Sequence, residues 1–143
     1  MPRMNALAAL QSHPWAYPAL EVVHILGIAL LLGNLVALEL RVFGVAAALP
    51  VSALARLSLS LAVVGFVLAA ASGLLMFASH PVELLANRFF LAKMGLLALA
   101  GCNAAWFHGR GSLAKLDALA RTQMLGSSAL WIAAVVCGRW IAY

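Results

Sequence analysis

Four long apolar runs, at 19–43, 53–79, 87–108 and 118–141, dominate the chain and are separated by short polar or proline-containing turns. Each exceeds the roughly twenty residues that an α-helix needs to cross a bilayer core. No run carries the broad polar face of a helix on a soluble core, so a soluble helical domain is not expected. The pattern predicts an all-α integral membrane four-helix bundle forming one domain. Pro14 and Pro18 flank Trp15 and Tyr17 before the first run, Pro50 and Ser52 precede the second, and His80-Pro81 ends it. Gly109-Arg110-Gly111-Ser112 closes the third, and Trp140 and Tyr143 supply interfacial aromatics at the end of the fourth.

Composition agrees with this pattern. Of 143 residues 66% are hydrophobic and only 9% charged, with a mean hydropathy of +1.05. The net charge of +5 is spread singly between apolar runs, which is not how a nucleic-acid surface is built. The membrane lipid is the expected partner, and nucleic acid is not. Four spans place both termini and the 80–88 turn on one side, with Arg3, Arg88 and Arg139. The loops 41–56 and 109–121 lie on the other side with Arg41, Arg56, Arg110, Lys115 and Arg121. The positive-inside rule then predicts cytoplasmic loops and termini outside, which in a bacterial inner membrane means the periplasm. The N-terminal segment lacks a convincing cleavage signal and is expected to stay on the chain, as a short amphipathic piece on the surface. Cys102 and Cys137 sit roughly 14 Å apart in depth, too far for a disulfide, and are read as packing residues.

Against this background Glu21, His24 and Lys93 are expensive. An ionisable group in a span costs at least ~2.5–3.5 kcal/mol on insertion scales, and such groups usually face the bundle interior. His24 lies six residues past Pro18 and Lys93 six past Asn87, so both are about 9 Å below the terminal-side surface. Glu21 is one turn above His24, His80 ends the second span on that side, and Arg139 enters from the fourth. One polar layer fed by all four helices is therefore expected, with Lys93 either part of it or snorkelling to the interface. A second layer of Asn34, Glu39, Arg41, Asn103, His108, Arg121 and Gln123 lies toward the basic loops and reads as structural, with Glu39 and Arg41 near the span's end at a solvated or salt-bridged interface. Asn34 and Asn103 there are placed to bond across the first and third spans. Small residues (Gly65, Ala69, Gly73; Ala134, Gly138) suggest close helix approach.

The spacings offer no HExxH or CxxC zinc site, no phosphate loop and no nucleophile elbow, and Glu21-x-x-His24 has no second copy for a di-iron bundle. A b-type haem fits the outer layer better, with His24 as axial ligand and Gly27 opening space one turn below. Arg88, Arg139, Trp15 and Tyr17 lie where propionates would emerge. The sixth position stays open between His80, Met76, Lys93 and no protein ligand. As metal ligands the histidines His24 and His80 come first. Glu21 is read as bonding the His24 imidazole or pairing with Lys93.

The segment Glu21-Val22-Val23-His24-Ile25-Leu26-Gly27, with Gly33 and Arg41-Val42-Phe43-Gly44, resembles the first span of small bacterial four-helix membrane proteins. Ser72-Gly73-Leu74-Leu75-Met76 and Phe90-Leu91-Ala92-Lys93-Met94-Gly95-Leu96 extend the likeness. The pattern is similar to the haem-containing protoporphyrinogen oxidase family HemJ and to CopD-like copper-resistance membrane domains. It is nearest to an uncharacterised family of this length. The resemblance implies a haem b site with His24 as ligand and Lys93 in or beside the pocket. Taken with the residues, it predicts a membrane haem b protein exchanging electrons with a quinone or a partner redox complex. The alternatives are an accessory subunit of a larger membrane complex or a homo-oligomer, and a copper-handling protein.

Overall fold

In the computed structural model, which describes residues 6–143, each apolar run becomes one long helix. The order is α1 (Ala6–Ser12), α2 (Ala16–Val42), α3 (Val51–Ser79), α4 (Pro81–Ala86), α5 (Arg88–Arg110), α6 (Ser112–Lys115) and α7 (Ala118–Trp140). Four of them, α2, α3, α5 and α7, are long and apolar enough to cross a membrane, so the chain is the helical membrane bundle that its pattern predicts. Arg3, counted above among the terminal-side charges, lies outside the described residues.

The boundaries follow local chemistry. α2 starts before Pro18 because a proline in the first turn gives up only an N–H that has no intrahelical partner. Asn87 caps α5, its side chain accepting from the N–H groups of Phe89 and Phe90 at 2.9 and 3.4 Å. α5 ends where Gly111 takes a left-handed conformation (φ 72°), which glycine adopts without steric cost. Asp117 caps α7 by accepting from Ala120 N–H at 2.9 Å, and its carboxylate also pairs with the Arg110 guanidinium.

That cap makes a pH prediction. The hydrogen bond from Arg110, then that from Ala120 N–H, pulls the Asp117 carboxyl from 3.8 down to about 2. Because the folded value is the lower one, the unfolded chain binds the proton more readily. The cap's contribution is complete above about pH 4 and disappears as pH falls through the folded value near 2. Thermal melts in detergent between pH 5 and 2 should show this loss, and Asp117→Asn should remove that part of the pH dependence.

α2 packs along α3, α5 packs along α7, and α7 joins the two pairs through α2. The α2–α3 contact is backbone on backbone. A Cβ added at Gly27 would lie 2.7 Å from Ala69 N and Gly65 O, and one at Gly65 would lie 2.6 Å from Gly27 O and Leu31 N. The close approach expected from Gly65 and Ala69 is thus present. Gly27, however, opens no slot beneath His24, because α3 fills the space. In a bilayer, where lipid tails solvate apolar side chains, such close packing is what associates helices.

All four long helices converge at the basic-loop end around Leu38, Val42, Ala55, Phe107, Ala120 and Met124. Polar cross-links brace the same end. Asn103 donates to Gln123 O at 2.9 Å, and the fully buried Ser112 hydroxyl donates to Gln123 Oε1 at 2.6 Å. Asn103 therefore ties α5 to α7, while Asn34 bonds Leu30 O in its own helix at 2.8 Å. The expected bond between the first and third spans is not made, because Asn34 has a carbonyl one turn back within reach. Most large apolar side chains point outward, as a bilayer requires.

Candidate functional site

At the terminal-side end the two helix pairs meet through side chains. His24, half-buried on α2, holds its ring against α3: Nδ1 is 2.8 Å from Ala69 O and 3.2 Å from Ser72 Oγ. A carbonyl only accepts, so Nδ1 carries the hydrogen and donates it, leaving the neutral ring's lone pair on Nε2. Ser72 is buried and passes its own proton to Leu68 O at 2.6 Å, which leaves its oxygen as an acceptor beside the ring.

Nε2 faces the other helix pair, where Lys93 Nζ of α5 stands 3.4 Å away. Glycines clear the way for both groups. A Cβ at Gly73 of α3 would lie 3.3 Å from His24 Cε1, and one at Gly138 of α7 would lie 3.3 Å from Lys93 Nζ. All four transmembrane helices thus shape the site: α2, α3 and α5 with the side chains of His24, Ser72 and Lys93, and α3 and α7 also through the glycines Gly73 and Gly138. Lys93 does not snorkel; its amine turns inward to His24.

The remaining expected members stand elsewhere. Glu21 is exposed, and both nitrogens of the His24 ring face other partners. Among the described residues the one ion pair is Arg110–Asp117, so Glu21 does not pair with Lys93 either. His80 caps the end of α3, exposed, with its ring edge-on to Tyr17 at 5.4 Å between centroids. It lies eight residues beyond Ser72, about 12 Å along α3 at 1.5 Å per residue, so it is not opposite His24. Arg139 is exposed and donates to the Tyr143 hydroxyl at 2.6 Å, its guanidinium 4.7 Å from that ring's centre. α7 reaches the layer through Gly138 instead. Reading only the costly side chains misses Gly73 and Gly138; a glycine on each remaining helix near the same depth is the signal that was available.

The donors can be tested against the expected groups. Among the described residues no three His, Cys, Asp or Glu side chains converge on a metal position. A bare zinc or copper ion, which wants about four donors, would find two here. At 3.4 Å the two nitrogens are in hydrogen-bond contact, and they would have to move apart to hold an iron whose other four ligands come from a porphyrin. The His24 ring has the arrangement such a ligand needs, with Nδ1–H held by a backbone carbonyl and Nε2 presented. The slot expected at Gly27 is filled by α3, and along the seam between the helix pairs the rings of Phe77 and Phe90 stack at 5.6 Å. The donor types, an imidazole and an amine, are ones haem accepts; the slot expected at Gly27 is taken by α3.

Comparisons with protein-family models, curated proteins and solved structures find no match to this chain.

Proposed function

We propose that this chain is an integral membrane haem b protein, in which His24 and Lys93 would hold the haem. One observation carries the reading: His24 Nε2 and Lys93 Nζ oppose each other at 3.4 Å inside a membrane bundle, each seated against a glycine. Haem bound there supplies one-electron redox chemistry, in exchange with a quinone or a partner redox complex. The chain's own residues do the positioning. Ala69 O and Ser72 Oγ orient the imidazole, Lys93 offers a second nitrogen, and Gly73 and Gly138 leave room for both. The excess of basic residues in the 41–56 and 109–121 loops supports termini on the periplasmic side of a bacterial inner membrane.

A pyridine haemochrome assay on protein purified after expression with haem supplementation tests this. About one haem b per chain is expected, falling to background in His24→Ala. Haem-free wild type, or a His24→Ala variant with full haem content, would contradict it.

A second reading, as a subunit packed against another membrane protein or a further copy of itself, draws on one observation. In the most apolar stretch of α5 only 6% is buried within this chain. A stable, isolated monomer on purification would count against it.

A further inference from the structure

The carboxylate of Glu39 sits at the opposite end of α2 from His24, fifteen residues or about 22 Å away along the helix. It is only three residues from the end of α2 and could extend to the water at the basic-loop surface. Instead it turns inward and accepts a hydrogen bond from Ser128, ten residues into α7 and so about 15 Å from that helix's start. The buried cluster that joins Leu38 and Val42 to Ala120 and Met124 sets the end of α2 beside the first turns of α7. The carboxylate therefore points toward the bilayer interior.

It lies in a groove between α2 and α7 with a volume of about 310 Å³, lined by Val36, Glu39, Leu40, Phe43, Leu125 and Ser128. The apolar walls are themselves exposed on the outer surface of the bundle: Val36 44%, Leu40 49%, Phe43 42% and Leu125 55%. The groove thus opens toward lipid. Among the described residues no cation pairs with the carboxylate. The described residues contain one ion pair, which does not involve Glu39, and the guanidinium of Arg41, the nearest basic residue in sequence, donates to Leu49 O and Ala47 O. An anionic group among apolar walls, without a counter-charge, complements one kind of ligand.

We propose that the α2–α7 groove is a binding site for a lipophilic organic cation, an apolar body carrying positive charge that enters from the bilayer and sets its charge on Glu39. The walls take the apolar body, and Ser128 holds the carboxylate in place. The volume, at the lower end of the range for small-molecule sites, suits a compact ligand. This site is separate from the proposed haem site.

Equilibrium dialysis of tetraphenylphosphonium against the purified protein in nanodiscs of zwitterionic lipid tests the proposal. Wild type is expected to show saturable binding near one probe per chain, above the partitioning into protein-free nanodiscs. Glu39→Gln should weaken it at least tenfold, with an unchanged helical circular dichroism spectrum and melt. Leu125→Trp, which fills the groove and keeps the carboxylate, should weaken it as well. His24→Ala should bind the probe as wild type does, so the haem reading and this one fail independently. Uptake equal to that of protein-free nanodiscs, or equal binding by wild type and Glu39→Gln, overturns the proposal. So does saturable, Glu39-dependent binding of a neutral quinol analogue without binding of the cation.

Discussion

Gly65→Ala is expected to destabilise the bundle by at least the upper end of the ~1–3 kcal/mol typical of overpacked cores. The added methyl would stand 2.6 Å from two backbone atoms of α2, Gly27 O and Leu31 N. A side chain in the way can change rotamer; a helix backbone cannot, so α2 and α3 must separate. Separation also loosens the contact by which Ala69 O and Ser72 hold His24. Gly27→Ala makes the reciprocal clash, 2.7 Å from Ala69 N and Gly65 O, and should cost a similar amount. Gly101 and Gly126 lie in α5 and α7 with nothing within 4 Å of a Cβ. Alanine there should be neutral or stabilising by up to ~1 kcal/mol, through helix propensity. Thermal melts of the four variants in one detergent separate the contact glycines from the open ones. Equal melting temperatures throughout would refute the backbone contact.

The second large effect concerns the His24–Lys93 pair, whose two members should respond unequally to replacement. His24→Leu removes the hydrogen bonds to Ala69 O and Ser72 and leaves the Lys93 amine facing a hydrocarbon side chain. An uncompensated lysine within a span costs on the order of 2.5–3.5 kcal/mol, and a comparable loss is expected in haem-free protein. Lys93→Met keeps the length of the side chain and removes the costly group, leaving only Nε2 without a partner. It should change stability by less than ~1 kcal/mol. The double variant should therefore be more stable than His24→Leu alone, a coupling that a double-mutant cycle measures directly. Additive effects would mean that the two side chains do not sense each other.

The transmembrane architecture was readable because bilayer thickness imposes a length that sequence reports directly, with Pro18, Asn87 and Pro81 marking the boundaries. Counting residues from those boundaries also brought His24 and Lys93 to one depth, where the structure places them in contact. The same counting misplaced His80 and Arg139. Both lie at helix ends, where depth says nothing of direction, and each turns to a nearby tyrosine instead. Glu21 sits one turn toward the surface, too far out to compete with Ala69 O for the imidazole. Gly27 was ambiguous for a different reason. A glycine in a span makes room for either a cofactor or a neighbouring backbone, and the choice depends on the α2–α3 register, which is a tertiary property. Glu39, near the end of a span, falls by sequence in the structural layer toward the basic loops. Its inward turn depends on Ser128, a residue 89 positions away that no local pattern marks.

The central claim, that the opposed His24 and Lys93 nitrogens hold a haem, is tested most directly by the visible absorption spectrum of the purified protein, oxidised and then reduced with dithionite. A Soret band with sharpened α and β bands on reduction is predicted, absent in His24→Ala and altered in Lys93→Met. A wild-type spectrum without a Soret band, or one that neither substitution changes, would contradict the account.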